Sequence, residues 1–226
     1  MPKLSTVDRW ATFDCYGTLI DWELGIRAAL GNLWPDSEPR NLLARYHEIE
    51  PRVQAEPFLP YREVMARTLE GIAEAEGVEL RPLDRETLAA SLPTWPAFPE
   101  VRGSLEEVAS RGWRLGILSN TDPDLLAASI LNIGVQPDLV VTAHDAGSYK
   151  PAHEHWNVFR GRTQADRARH VHVAASLFHD IAPAAELGVP AIWINRLGES
   201  SELPSAAELP DLAGLPDLLD KLVPDE

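Results

Sequence analysis

The sequence predicts an α/β fold: a parallel sheet with helices on both faces, interrupted near its start by an all-helical insertion. Three observations carry this reading. Short apolar runs rich in Val, Ile and Trp alternate with helix-period stretches, as in a parallel sheet whose strands are joined by helical crossovers. Several runs are apolar nearly throughout, as strands buried on both faces must be. Between Trp22 and about Pro99 the pattern is helical without a break.

The elements follow in order. The first strand is Arg9–Phe13 (RWATF). Glu23–Leu33, Arg40–Gln54, Tyr61–Glu76 and Arg85–Ser91 are the helices of the insertion, and the proline-rich Pro93–Val101 is the return linker. Strands at Trp113–Leu118, Asp138–Thr142, Val171–Ala175 and Ala191–Asn195 then alternate with helices at Gly103–Arg111, Asp124–Leu131, His155–Arg167 and Ile181–Leu187. Gly198–Pro216 is rich in Ser, Pro and Glu and reads as loop before a last short helix, Leu215–Leu222. The expected architecture is a Rossmann-like catalytic core of residues 1–20 and 99–226 with a helical cap over 21–98.

Composition sets outer limits. The 226 residues are 45% hydrophobic and 24% charged, enough for a sizeable core. The net charge of −15 argues against nucleic acid or an anionic membrane as partner. An anionic small molecule would need a locally positive pocket. The single cysteine, Cys15, excludes an intramolecular disulfide. MPKLSTVDRW lacks the apolar region of a leader, and no run has the length of a membrane span. A soluble, cytoplasmic protein is the expectation.

Open parallel sheets bind ligands beyond the carboxyl ends of their strands. There the sequence places Asp14, then Ser119-Asn120, then His144-Asp145 and SYKP with Lys150, then Ser176 and His179-Asp180, then Asn195-Arg196. Each has an ordinary alternative. Asp14 suits a turn, Lys150 a solvated surface, Asp180 a helix N-cap. Ser119 and Thr18 suit ties to backbone. HEH at 153–155 and HVH at 170–172 suggest metal. No third ligand is spaced to join them, however, and His170 and His172 fall at a strand's start, away from the active edge, so no metal site is expected. Cys15 reads as a small buried residue. Trp10, Trp113 and Trp193 read as strand packing, while Trp22 and Trp156 have the reach for a pocket or for the core.

Asp14, Ser119, Lys150 and Asp180, in that order and around a helical insertion, resemble the haloacid dehalogenase superfamily. Members with phosphatase activity carry a second Asp two residues after the nucleophile and a GD pair that helps to hold magnesium. Here those positions are Tyr16 and Ala174-Ala175. A phosphate monoester needs a proton donor and a cation, whereas halide leaves without either. DCYGT and SYKP are therefore similar to the L-2-haloacid dehalogenase branch. That resemblance implies a cofactor-free hydrolase of short 2-haloacids and a small anionic substrate. In it, Asp14 attacks carbon to form an aspartyl ester, Lys150 keeps Asp14 ionised, and Asp180 manages the hydrolytic water. Thr18 and Ser119 donate hydrogen bonds, and Cys15, Tyr16 and Asn120 contact substrate. The branch also carries a cap arginine about thirty residues after the nucleophile. Arg45 fits by spacing and is favoured because guanidinium holds carboxylate bidentately; the pairing of an aromatic with a basic residue points instead to His47, and Arg52 is nearby. Leu177 stands where the branch has Asn, so Ser176 or His179 would serve the water. A homodimer is the commonest oligomer for such enzymes. The alternatives are a magnesium-dependent phosphatase of the superfamily, a hydrolase of another small 2-substituted acid, and a non-enzymatic binding protein.

Overall fold

The computed structural model describes residues 8–225; residues 1–7, most of the stretch read for a leader, lie outside them. Six parallel strands form one sheet in the order β3-β2-β1-β4-β5-β6. They are β1 (Arg9–Phe13), β2 (Trp113–Ser119), β3 (Leu139–Thr142), β4 (His170–Ala174), β5 (Ala191–Ile194) and β6 (Ala207–Leu209). Every residue of β1, β4 and β5 is buried, the polar Arg9, Thr12, His170 and His172 included, as in strands covered on both faces. β6 corrects the expected loop over Gly198–Pro216: it is a short, partly exposed edge strand paired with β5, too brief to show a period.

The chain leaves the sheet after β1 as α1 (Trp22–Leu33), α2 (Pro39–Gln54), α3 (Tyr61–Glu76) and α4 (Thr87–Ser91). It returns through the proline-rich linker to α5 (Val101–Ser110), and α6 (Pro123–Ile133), α7 (Ala143–Ala146), α8 (Glu154–Thr163), α9 (Ala182–Glu186) and α10 (Leu215–Leu222) follow among the strands. Local chemistry sets the ends. Asp21 caps α1 by accepting from the Leu24 N–H at 3.0 Å. Pro123 opens α6 and Gly134 closes it in the left-handed conformation. The helix expected over His155–Arg167 stops at Thr163 because Gln164 takes a positive φ of 56°.

One hydrophobic cluster runs from the sheet (Phe13, Ile117, Val173) into the insertion (Ile26, Tyr46, Met65, Trp95). A second, with Trp10, Leu118, Trp156 and Phe159, covers another part of the sheet. Trp95, in the return linker, packs so close to α1 that a Cβ on Gly25 would lie 2.3 Å from its ring. Glycine at position 25 is what lets the linker seat against the helix. Between β1 and β4 the strand order reverses, and the carboxyl ends on either side of that reversal open the crevice where such sheets bind ligands. Pairing of Phe13 with both Ile117 and Val173 brings the ends of β2 and β4 level with Asp14.

Candidate active site

Asp14 is the first residue beyond β1, and its N–H donates to the Val173 carbonyl at 3.1 Å. Gly17, at φ 90°, turns the chain so that Thr18 reaches back. The Thr18 hydroxyl donates to Asp14 Oδ2 at 3.0 Å and accepts from the Ala175 N–H at 2.9 Å, joining the loops after β1 and β4. Lys150 is buried, and its ammonium spends all three protons: on Asp14 Oδ1 at 2.9 Å, Asp180 Oδ1 at 2.6 Å and the Leu118 carbonyl at 2.9 Å. His172 Nε2 lies 2.9 Å from the same Asp180 oxygen, and its Nδ1 lies 2.9 Å from Thr12 Oγ1. The sequence reading placed His172 away from the active edge. Its register on β4 does lie back from the strand end, but the wide helical turn over Leu177–Ile181 folds Asp180 down onto it.

The electrostatics follow from two carboxylates sharing one ammonium. Burial pushes the Asp14 carboxyl up, Lys150 pulls it back and Asp180 adds to the rise, leaving it above its ordinary value. For Asp180, burial is outweighed by Lys150 and His172, and the carboxyl is held well below the usual range. Burial alone would lower Lys150, but the two carboxylates raise it. Asp180 Oδ2 is buried and has no hydrogen-bond partner among the described residues.

A cavity of about 630 Å³ opens above this centre, between the strand ends and the helical insertion. Tyr16, Asn120, Ser176, His179 and His47 all line it. The Tyr16 hydroxyl lies 2.9 Å from Ser129 Oγ. Asn120 holds the lysine in place: its oxygen accepts from Lys150 N–H at 2.7 Å and its amide donates to the Lys150 carbonyl at 3.0 Å. Ser176 Oγ accepts from the His179 N–H at 3.0 Å, and burial keeps the His179 imidazole below its ordinary value. Ser119 is buried at the end of β2, its hydroxyl without a partner among the described residues and its carbonyl 3.1 Å from His155 Nε2. Cys15 lies in the core rather than on the cavity wall, and burial pushes its thiol well up, as expected of a packing residue. Trp22 lines the cavity, whereas Trp156 is buried against His172, 5.4 Å between ring centroids.

Arg45 is not brought to the site, which corrects the preference for it. It is exposed and paired with Glu76 at 2.8 Å and Glu48 at 2.9 Å. Arg52 is likewise exposed and bound to Glu48. The cavity-facing residues of α2 are Tyr46, His47, Glu50, Pro51 and Gln54, one helical face; Arg45, Glu48 and Arg52 cluster on another. His47 is thus the basic residue that α2 contributes, with Nε2 3.2 Å from Glu23 and its ring against Trp22. Sequence reasoning missed Glu50 and Tyr61 as cavity residues, whereas Arg196, read at the end of a strand, does line the cavity. Helical spacing from the buried Tyr46 would have found Glu50.

Among the described residues no group of three His, Cys, Asp or Glu side chains could hold a metal ion. The space between the Asp14 and Asp180 Oδ1 atoms, where a cation would bridge them, is filled by the Lys150 ammonium. Ala174 and Ala175, at the positions of the metal-holding pair, offer no carboxylate. The residues therefore do not fit a magnesium centre of the phosphatase kind.

Comparison with known proteins bears on the family and the fold. A family model for haloacid dehalogenase-like hydrolases matches residues 9–188. The (S)-2-haloacid dehalogenase of Pseudomonas sp. (strain YL) is 26% identical over 84% of this chain and 84% of its own length. Haloacetate dehalogenase H-2 of Moraxella sp. (strain B) is 25% identical over 82% and 85%. The L-2-haloacid dehalogenase of Xanthobacter autotrophicus, solved with chloropropionic acid covalently bound, shares the fold with a TM-score of 0.84 at 18% identity, covering 94% of this chain and 98% of that one. With a sheet-end aspartate held by a buried lysine beneath a helical insertion, this chain belongs to the haloacid dehalogenase-like hydrolases.

Proposed function

We propose that the protein is a hydrolytic dehalogenase of 2-haloacids that works through an aspartyl ester on Asp14, within a core of residues 1–20 and 99–226 roofed by a cap of residues 21–98. The observation that carries this reading is the single Lys150 ammonium spanning Asp14 and Asp180. It supplies the charge that keeps a buried carboxylate anionic and oriented for attack. The relatives named above act on haloacids by name, which supports the same class of substrate.

In the first step an Asp14 oxygen attacks the carbon bearing the halogen. The C–O bond forms as the C–X bond breaks, and halide leaves with the electron pair. Thr18 and Lys150 fix the orientation of the carboxylate. Backbone N–H groups at Cys15 and Tyr16, and His47 from the cap, are the donors assigned to the substrate. In the second step water attacks the Asp14 carbonyl carbon, the ester C–O bond breaks, and a 2-hydroxy acid departs. Asp180 Oδ2, free of protein partners, is assigned to orient that water. Its strongly held charge makes it a poor proton acceptor. The neutral His179 imidazole on the cavity wall is better matched to take the proton.

Halide release from chloro-, bromo- and fluoroacetate and 2-chloropropionate, with Asp14→Asn as control, tests the reading. A single turnover in ¹⁸O water should label Asp14. Labelled product with unlabelled Asp14 would mean direct attack by water, and loss of turnover in EDTA would favour the magnesium-dependent phosphatase.

A further inference from the structure

Dehalogenation of a short acid leaves most of the cavity unused. A haloacid of two or three carbons is far smaller than a space of about 630 Å³, a volume that suits drug-sized ligands. The remainder lies against the cavity face of α2, with Trp22, Tyr61 and Trp95 contributing aromatic walls. Glu50 sits in the middle of that face. Tyr61 Oη, at 3.3 Å, and Gln54 Nε2 both donate to its Oε1. Its Oε2 has no hydrogen-bond partner among the described residues, and no cation there pairs with the carboxylate. The arginines on the same cavity are engaged elsewhere: Arg27 with Glu23 at 4.0 Å, and Arg196 with Glu100 at 2.7 Å and the Phe98 face at 3.6 Å. Pro51 adds a second acceptor. It has no N–H, so the His47 carbonyl lacks its helical donor, and Pro51 itself lines the cavity. Aromatic faces around a partly buried carboxylate with spare lone pairs and no protein cation have the composition of a site for an organic cation.

We propose that this cap-side half of the cavity is a specificity subsite for a positively charged, hydrogen-bond-donating end group, an organic ammonium. Glu50 is its counter-ion, and Tyr46, Tyr61 and Trp22 form its walls. The inference rests on the aspartyl-ester reading only for the reacting end of the substrate. It accounts for an otherwise costly feature: burial holds the Glu50 carboxyl up at about 7, and a bound ammonium draws it back down. The phenols that interact with Glu50 are Tyr46, Tyr61 and Tyr149. All are pushed up and stay neutral, so they do not compete for the cation.

Titration calorimetry at about pH 8 reads the subsite without any chemistry at Asp14. The probes are ω-amino acids from 4-aminobutanoate to 8-aminooctanoate, each compared with the alkanoate of the same chain length. At the length that spans the cavity, the amine is expected to bind about 10-fold or more tightly than its neutral counterpart. Glu50→Gln, which keeps the shape of the side chain, is expected to abolish that preference. Equal affinities at every length in the wild type, or a preference that survives in E50Q, overturn the proposal. Halide release from 2-chloropropionate is measured on the same wild-type preparation. An enzyme that releases none yet keeps a Glu50-dependent preference for amines refutes the aspartyl-ester reading and leaves the subsite standing; the converse refutes the subsite alone.

Discussion

Replacing Lys150 with Met tests the centre most directly. Met keeps the apolar stem and removes the ammonium, which leaves Asp14 Oδ1, Asp180 Oδ1 and the Leu118 carbonyl without the donor they share. Breaking a buried ion pair from one side costs about 3–5 kcal/mol because an uncompensated charge stays behind; here two carboxylates are left. The cost should depend on pH, and its sign is fixed. In the wild type the Asp180 carboxyl is depressed, so its contribution is present above the unfolded value near 4 and is lost as pH falls through the folded one. In the variant, burial and mutual repulsion raise both carboxyls. Stability is then retained below about pH 4 and lost as pH rises. The gap between the two proteins should therefore widen by several kcal/mol between about pH 4.5 and pH 8. Urea unfolding of both proteins across that range measures it. Halide release on the same samples should fall at least ~10³-fold, since a protonated Asp14 does not attack carbon. A stability gap that stays constant from about pH 4.5 to 8 would refute the reasoning. It would mean that Lys150 acts only through the packing of its stem.

Three further outcomes are expected. Arg45→Ala should leave turnover and KM for 2-chloropropionate within about twofold of wild type, whereas His47→Ala should raise KM about tenfold or more, because only His47 faces the cavity; steady-state halide release separates them. Glu50→Gln should stabilise the protein at alkaline pH, because a carboxyl moved from 4.5 to about 7 costs stability as pH rises through that window. The gain should be nil near pH 4.5 and roughly 2–3 kcal/mol near pH 8 by urea unfolding. Gly25→Ala should cost about 1–3 kcal/mol although alanine is the better helix former, since the new Cβ meets Trp95. A variant with unchanged or raised melting temperature would show that the linker shifts freely.

What the sequence made legible was local. Asp14, Lys150 and Asp180 could be picked out because each lies in the segment after a strand run, and a parallel sheet delivers the carboxyl ends of such runs to one edge whatever the side chains beyond them do. The cap wall obeys a different rule. A helix turns ~100° per residue, so a count of residues from the nucleophile places Arg45 and His47 about equally well, while their faces differ: Arg45 pairs with Glu76 on α3 and His47 meets Glu23 and Trp22 on α1. Which face is inward depends on where α1 and α3 dock, and that is recorded in Tyr46, buried at 1% exposure, rather than in any charged residue. His172 was hidden for a related reason. Its partner lies eight residues on and returns only because Leu177–Ile181 forms a wide turn in place of a strand-to-helix step. Leu177, the departure from the resembled branch, opens that turn, and its side chain packs with Ala174, Ile181 and Trp193. An apolar residue at 177 suits the turn that carries Asp180, and the polar side chains beside it on the cavity wall are Ser176 and His179. If so, Leu177→Asn should loosen Asp180 rather than restore a lost contact, and it should slow hydrolysis of the ester more than its formation. Rapid-quench measurement of the halide burst against steady-state turnover distinguishes the two steps, and a faster steady state without a burst would show that Asn at 177 supplies what this chain lacks.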